Sequence, residues 1–600
     1  MRSSLLVLAA AIGAGCATRG PASPPAPASS VAPSPPGPRG AVRALEEEYL
    51  RERFRRFPEM ATRFGWPGAD HAAVSDPRPQ AVAEWQRVED ALLARAKAVD
   101  ARAAEGTPEA VELGILLEAL EGARAARPCR SELWNVSSIG GWQAQYAGVA
   151  ETQPVGTPAL NEAAKARLRG LAVRIDREIE ALREGVRLGY VATRENVDRA
   201  TGELDKLLAT PPRDWPYTRP GARAGDPALL DDLAGIVARE VLPAARRYRD
   251  YLAKEYEEHA RATPSLLALP DGEACYAGAI RRSSTLALDP RAVHDTGRAR
   301  LAAIHAEIRE IARRRFGWTD PAPAVLRRLR EDPALRFRSK EEIVDVSRAA
   351  IDRAAAAAPR AFGHVPQAPV RVREYPEFRR AGNPAESYSP DFSTGKLAGI
   401  YFINVFDPEK KPRAPVESTA FHEAIPGHHF QIALALERGE SRLGKYVINS
   451  GFVEGWALYA ERLADELGLF SDDVYRLGML SSEAFRASRL VVDTGLAVLG
   501  WPRQRAIDFL VENAGLDAGF AASEVDRYAA WPGQATSYML GQLEIRRLRA
   551  EAEQALGPRF DLRAFHDAVL ENGAVPLGVL RDRIERFVRE RRGTAGQGGR

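Results

Sequence analysis

The chain is long, nearly neutral and rich in charged residues. It has 600 residues, 28% of them charged, and 84 basic against 81 acidic side chains give a formal net charge of +3 at pH 7. Because the basic surplus is small and dispersed, the composition argues against a nucleic-acid partner. A chain of this length can bury a large core, and we predict one body with two helical lobes.

The N-terminus has the pattern of an export signal. Arg2 precedes an apolar run, and two small residues lead to Cys16, which predicts a signal peptide at residues 1–16. A cysteine in this position is typical of the lipid-modified cysteine of bacterial lipoproteins, although Gly13 stands where that pattern usually has Leu. We therefore expect an exported protein, in the periplasm or attached to the outer membrane through Cys16, with plain secretion as the alternative.

The next segment differs in composition from the rest of the chain. Residues 17–40 are mostly Pro, Ala, Ser and Gly, with almost no large apolar side chain. Such a segment cannot bury a core and is expected to form an extended tether. We therefore place the folded helical body at residues 41–600.

Two further cysteines, Cys129 and Cys275, lie far apart in the sequence. They could form a disulfide in an oxidising compartment. The sequence does not give their distance, and we favour two unpaired buried thiols.

Most of the body has the helical period of apolar residues, with Pro-rich connections at residues 210–220 and 319–323. Strand patterns are confined to residues 370–375, which alternate apolar and polar side chains, and to the apolar run 399–405. The fold is therefore predicted to be mainly α, with a small β-sheet that either offers an edge to a peptide or only braces the helices. The clearest helical stripes are Leu168, Leu171, Ile175, Ile179, Leu182 and Val186; Leu229, Leu233, Ile236 and Val237; and Ile304, Ile308 and Ile311.

Three of the nine histidines lie close together at His422, His428 and His429. Imidazole and carboxylate groups are the ordinary ligands of a catalytic zinc ion, which keeps three protein ligands and leaves one position for water. Glu423, next to His422, is the carboxylate expected to take a proton from that water. The cluster therefore predicts a zinc site, and three histidines held by ordinary hydrogen bonds are the alternative.

The spacing of these histidines does not fit a regular helix. At about 100° and about 1.5 Å per residue, His428 would lie about 240° round from His422, and His429 would lie about 10 Å further along. Pro426 has no N–H to donate to the carbonyl of His422, so we expect a local widening or kink that brings one later histidine back. We favour His428 as the second ligand, with His429 as the alternative.

An acidic residue a helix-length later is the predicted third ligand. Glu454 opens an amphipathic segment, and enough chain separates it from His428 for one helix to end and another to return. Glu461 lies about two turns further on the same face. It could instead bind the metal, or hold a ligating imidazole in place.

These residues resemble the bacterial family called "domain of unknown function 885", which is itself similar to zinc peptidases of the gluzincin kind. The resemblance covers most of the body. The His422 and Glu454 segments are its most specific parts, and the others support it. The matching segments are 288–290 with His294 and Gly297, 401–404, 422–431, 454–461, 489–495 and 532–538.

The resemblance implies a largely helical, zincin-like metallopeptidase with its cleft between two lobes. Within the matching segments, Tyr401 and Asn404 are candidate substrate-binding residues, and Tyr538 is the candidate donor to the oxyanion of the reaction. Arg486 and Arg489 are alternatives to Tyr538, unless they are ion-paired helix residues.

The chain departs from the family pattern at one position. A histidine commonly follows the Asp493-Thr494-Gly495-Leu496 step in the family, and this chain has Ala497 there. If that histidine assists catalysis, activity here is lost or altered.

The leading functional hypothesis is an exported zinc-dependent hydrolase of short peptides, with Glu423 as general base. The alternatives are a catalytically silent, metal-containing envelope protein that binds peptides, and a zinc amidase that acts on cell-wall peptides. The sequence does not indicate which peptides are used, which end is cut or whether the protein self-associates.

Overall fold

Helices dominate the computed structural model of the protein, which describes residues 38–100, 105–375, 385–391, 396–439 and 441–593. Residues Pro38–Arg600 group as one compact unit. The predicted signal peptide, Cys16 and residues 17–37 of the predicted tether lie outside the described residues and stay predictions. The first described helix begins at Pro38, three residues before the predicted start of the body, because proline is readily accommodated in a first helical turn.

The described α-helices, in chain order, are Pro38–Arg56, Pro58–Arg63, Pro79–Lys97, Pro108–Ala125, Trp142–Thr152, Pro158–Leu188, Arg194–Ala209, Arg219–Ala224, Pro227–Ile236, Leu242–Tyr251, Gly272–Ser284, Pro290–Phe316, Ala322–Glu331, Lys340–Ala357, Val416–Glu423, His428–Arg438, Ser450–Glu466, Asp473–Val498, Arg503–Ala514, Ala518–Ala530, Ser537–Leu556, Leu562–Leu570 and Leu577–Gly593. In the described part of the chain, none of these helices combines the length and apolar character that a membrane crossing requires. We call Val416–Glu423, His428–Arg438 and Ser450–Glu466 the first, second and third site helices.

The predicted helical stripes lie on helices, and the prediction of a mainly α fold is confirmed. The longest stripe falls within Pro158–Leu188, which begins where the Thr157 side chain accepts a hydrogen bond from the N–H of Leu160. Its apolar positions are buried, apart from the partly buried Val186, because they recur every three or four residues and face one side. The lobes, the cleft and the zincin-like arrangement stay predictions.

The sheet has three strands, β1 (Val370–Glu374), β2 (Ser387–Asp391) and β3 (Ala398–Ile403), in the order β1-β3-β2. β3 is the central strand and pairs parallel to β1 and antiparallel to β2. The two predicted strand regions correspond to β1 and β3. β2 was not predicted because its sequence, Ser-Tyr-Ser-Pro-Asp, has no alternating apolar pattern, and its proline is tolerated in an edge strand.

Cys129 and Cys275 form a disulfide between a short 3-10 turn and the helix Gly272–Ser284. Both residues are buried in one hydrophobic cluster. The expectation of two unpaired thiols was therefore wrong. Periodicity and spacing could not correct it, because the two residues are 146 positions apart and meet only through tertiary packing.

Candidate metal centre

The chain leaves the helical conformation between the first and second site helices. The first site helix ends at Glu423, the Ile425-Pro426 peptide bond is cis, and a new helix begins at His428. We call residues 424–427 the Pro-Gly break. The expected widening or kink of one continuous helix is therefore replaced by two separate helices, since Pro426 cannot continue the hydrogen-bond ladder.

A hydrogen bond from Trp456 and the absence of a side chain at Gly427 allow the Pro-Gly break to adopt this conformation. The indole Nε1 of Trp456, on the third site helix, donates a hydrogen bond of 3.0 Å to the carbonyl of Pro426. A Cβ atom at Gly427 would lie 1.9 Å from the carbonyl oxygen of His422, so a side chain does not fit there. The glycine and the tryptophan therefore bring the start of the second site helix back against the end of the first.

Two histidines and one glutamate meet at this turn. The Nε2 atoms of His422 and His428 lie 3.7 Å and 3.6 Å from the same carboxylate oxygen of Glu454. The two imidazole rings are 4.8 Å apart between centroids, with their planes at 86°. Candidate ligand atoms of His422, Glu423 and His428 all lie within 4.8 Å of one another. The structure thus brings four of the predicted site residues, His422, Glu423, His428 and Glu454, close together.

The orientation of His422 is set by a carboxylate behind it. Its Nδ1 lies 2.8 Å from Oε1 of Glu461, and the hydroxyl of Ser418 donates to the other oxygen of that carboxylate. Both oxygens of Glu461 are thus engaged, which favours the orienting role over direct ligation. When Nδ1–H donates to Glu461, the other ring nitrogen of His422, Nε2, is directed towards Glu454 and His428 and is the atom that could bind a metal ion.

The charges at the centre are strongly coupled. Burial alone would lower the pKa of His422, but the nearby carboxylates of Glu454 and Glu461 raise it to about 9. Burial alone would raise the pKa of Glu454, but the two imidazoles beside it hold that pKa well below its usual range. Burial raises the pKa of Glu423. The carboxylates of Glu454 and Glu461 therefore make this part of the structure favourable for positive charge.

We expect Glu461→Gln to weaken zinc binding about 10- to 100-fold without removing a ligand, because partners behind a ligating imidazole contribute about that much. The amide keeps an acceptor for the Nδ1–H of His422 but loses the charge. The dissociation constant for zinc, measured by competition with a chelator, tests this expectation. Glu466→Gln, on the same helix but largely exposed, is the control, and equal zinc affinity in the two variants would contradict the orienting role.

His429 lies outside this group. Its Nε2 is 3.0 Å from the carbonyl oxygen of Ala368, and its Nδ1 is 3.3 Å from the hydroxyl of Tyr388 on β2. A Cβ atom at Gly399 would lie 2.3 Å from that Nδ1, so the sheet packs directly against the ring. Both nitrogens of His429 are therefore engaged in attaching the second site helix to β2 and to the segment just before β1.

The sheet also contacts Glu423. The backbone N–H of Tyr388 donates a hydrogen bond to the Glu423 carboxylate, and Tyr388 pairs with Tyr401 across β2 and β3. Neither Tyr388 nor Ser418 was predicted. Ser418 precedes His422 by four residues and so shares its helical face, a signal that was available, whereas nothing in the sequence around Tyr388 indicated a site.

Tyr401 and Asn404 are both buried. The Tyr401 side chain is 1% exposed within the core between the sheet and the first site helix. The side-chain oxygen of Asn404 accepts a hydrogen bond of 3.0 Å from the N–H of Phe406, at the end of β3. The prediction that these two residues bind substrate gains no support from their positions.

Tyr538 is brought to the centre by a close helix crossing. The hydroxyls of Ser450, four residues before Glu454, and Ser537 lie 2.9 Å apart. A Cβ atom at Gly541 would lie 1.8 Å from the Gly451 carbonyl, so the helix Ser537–Leu556 contacts the third site helix through backbone. Burial and the charge of Glu454 raise the pKa of Tyr538, so its hydroxyl keeps its proton as a donor.

The two alternative donors differ in their surroundings. Arg489 is buried and ion-paired with Glu524 at 3.0 Å, and its guanidinium carbon lies 4.6 Å from the centroid of the Tyr538 ring. Arg486 is half-buried, and its Nη1 donates to the carbonyl of Ser482 at 3.3 Å. Among the described residues, Arg489 has an ion pair and Arg486 has none, so the expectation of ion-paired helix residues describes only Arg489.

Ala497 lies two turns beyond Arg489 on the same helix, about 12 Å along its axis. Its side chain is 3% exposed, and its carbonyl accepts a hydrogen bond of 3.1 Å from the hydroxyl of Ser265. Its effect on catalysis stays a prediction.

Comparison with known proteins places the chain in a family. The crystal structure of "the putative lipoprotein from Colwellia psychrerythraea" matches with a TM-score of 0.84 and 26% identity, over 92% of this chain and 100% of that one. "A putative lipoprotein of unknown function from Shewanella oneidensis" shares the fold, with a TM-score of 0.73 and 19% identity over 90% of this chain and 99% of that one. No curated protein matches the chain. The family model described as "Bacterial protein of unknown function (DUF885)" matches residues 58–584, and the chain belongs to this family.

Proposed function

We propose that the protein is an exported zinc-dependent hydrolase that cleaves peptide bonds in short peptides. The observation that carries this proposal is the convergence of His422, His428 and Glu454 beside the carboxylate of Glu423. Two imidazoles and a carboxylate are a usual donor set for catalytic zinc, and a neighbouring glutamate is the usual partner of its water.

The distances fit a zinc ion. With bonds of about 2.0–2.1 Å in a tetrahedral arrangement, neighbouring ligand atoms lie about 3.3–3.5 Å apart. The Nε2 atoms of His422 and His428 lie 3.7 Å and 3.6 Å from Oε2 of Glu454. Small side-chain movements would therefore suffice to bring all three atoms onto one cation.

Zinc and three residues of the chain would each have a separate role in the reaction. Bound zinc would polarise the scissile carbonyl and lower the pKa of a water molecule. Glu423 would take a proton from the attacking water and pass it to the leaving amine. The hydrogen bond from the Tyr388 N–H aims its carboxylate, and the Tyr538 hydroxyl would donate to the developing oxyanion.

We expect Tyr538→Phe to lower kcat about 10²- to 10³-fold with KM and zinc content nearly unchanged, because it removes one donor to the transition state. Steady-state kinetics and metal analysis measure the three quantities. Tyr446→Phe is the control, since that tyrosine packs against Phe54 and Trp66, away from the centre. A Tyr538→Phe enzyme with the kcat of the unmodified protein would remove this tyrosine from the mechanism.

The function is tested by metal analysis and a peptide library. The purified protein should contain about one zinc per chain and should cleave members of a mixed library of ordinary and cell-wall peptides, read out by mass spectrometry. Products from cell-wall peptides alone would favour the amidase. Zinc and retained peptides without products would favour the silent binding protein, which is motivated by Ala497.

The cellular location rests on the N-terminal sequence and on the relatives. The matched proteins from Colwellia and Shewanella are both described as putative lipoproteins. Together with the signal pattern and Cys16, they support an exported protein attached to the cell envelope through a lipid. Incorporation of labelled palmitate into the unmodified protein but not into Cys16→Ser would test the attachment.

A further inference from the structure

Three arginines lie near Tyr538, and one of them packs against its ring. The guanidinium carbon of Arg489 lies 4.6 Å from the Tyr538 ring centroid and 4.2 Å from the ring of Phe485. The guanidinium carbon of Arg486 lies 5.5 Å from the same Phe485 ring. Arg527 shares the carboxylate of Glu524 with Arg489. We call Arg486, Arg489 and Arg527 the arginine cluster.

The arginine cluster is short of negative charge. Glu524 binds Arg527 through both oxygens, at 3.0 Å and 2.9 Å, and binds Arg489 at 3.0 Å. Asp493 is the other nearby carboxyl, but it accepts the N–H of Gly533, and burial raises its pKa to about 7. One carboxylate and a partly protonated one therefore face three permanent positive charges.

Two guanidinium groups also have unused donors. Among the described residues, Arg486 makes no ion pair, and its buried Nε has no hydrogen-bond partner. The buried Nη1 of Arg489 also has none. Leaving charged N–H groups unpaired away from water is costly, so these donors indicate a position at which a bound anion would complete the cluster.

The arginine cluster is also close to the candidate metal centre. Tyr538 contacts Arg489 with its ring, and its helix crosses the third site helix next to Glu454. Beside Arg489, Phe485 packs against Phe520 with ring centroids 5.9 Å apart, and Phe520 is 48% exposed. An anionic group bound at the cluster would thus sit beside both an apolar surface and the metal centre.

We infer that Arg486, assisted by Nη1 of Arg489, binds the C-terminal carboxylate of the peptide, so that the protein acts on short peptides near their free C-terminal end. The inference rests on the proposed function and adds its substrate class. A guanidinium fork matches the two oxygens of a carboxylate, and Phe485 and Phe520 offer an apolar contact for the neighbouring side chain.

Binding tests this inference without relying on turnover. Protein carrying Glu423→Gln is equilibrated with an equimolar mixture of two randomised tetrapeptide libraries, one with C-terminal carboxylates and one with C-terminal amides. Peptides retained on ultrafiltration are quantified by mass spectrometry. We expect carboxylate peptides to be enriched about 10- to 100-fold, the effect of one charge-assisted contact.

Arg486→Gln in the same background should abolish this enrichment, and Arg486→Lys should keep only part of it because it retains the charge without the fork. Arg313→Gln, at an exposed ion pair with Glu310, should leave it unchanged. Thermal unfolding checks that each variant is folded.

Each outcome separates the inference from the proposed function. Equal retention of both libraries, with peptide cleavage by the unmodified protein, would overturn the inference and leave the hydrolase. Enrichment that survives in Arg486→Gln would assign the carboxylate site to other residues and overturn the inference as stated. Failure to retain or cleave any peptide would overturn both.

Discussion

Glu423→Gln is expected to reduce peptide cleavage by at least about 10²- to 10⁴-fold while about one zinc per chain remains bound. A general base contributes a factor of this size, and an amide cannot accept the proton of the attacking water. Zinc should stay bound because its three proposed ligands, His422, His428 and Glu454, are unchanged. Product formation by mass spectrometry and zinc content by elemental analysis are measured on the same preparation.

The control for this variant is Glu409→Gln, because Glu409 is an exposed glutamate in a short turn after the sheet. It should match the unmodified protein in both measurements. Peptide cleavage retained in Glu423→Gln would exclude Glu423 as the base. Loss of zinc together with activity would instead make Glu423 a ligand, in agreement with its distance of less than 4.8 Å from the two histidines.

Much of the candidate centre could be predicted because its chemistry is local in the sequence. His422, Glu423 and His428 are separated by a few residues, and the residue types alone suggest a metal. Pro426 also predicted that no regular helix could pass. Pro426 did not indicate how the helix would be interrupted, since a kink, a wide turn and a complete break all accommodate a residue without an N–H.

The contacts that fix the geometry of the candidate centre come from distant parts of the sequence. Trp456 fixes the Pro-Gly break from the third site helix, and Glu461 orients His422 across 39 residues of sequence. Helical spacing placed Glu454 and Glu461 on one face, but it could not tell which carboxylate faces both His422 and His428. That choice depends on Ser418 and His422 occupying both oxygens of Glu461.

Side-chain burial was the least predictable feature. Tyr401 belongs to a distinctive motif, yet β3 is paired on both edges and its tyrosine is in the core. β2 forms the sheet's contact with Glu423. Its sequence has no strand pattern, and it is a strand because it pairs with β3. Pairing between strands and the approach of β2 to the first site helix are tertiary effects that a local pattern does not contain.

The two adjacent histidines should respond oppositely to substitution. His428→Ala is expected to lower zinc content from about one per chain to near zero, because it removes one of three protein ligands. His429→Ala should keep its zinc. It should instead lower the free energy of unfolding of the zinc-free protein by about 1–3 kcal/mol, since the Ala368 carbonyl and the Tyr388 hydroxyl lose a buried partner.

Elemental analysis and urea denaturation after chelation separate these two effects. The pair is its own matched control, because both variants remove the same imidazole one residue apart on the same helix. Zinc lost from His429→Ala and kept in His428→Ala would exchange the assignments. That result would require the second site helix to turn by about 100°, which the packing of Gly399 against the His429 ring opposes.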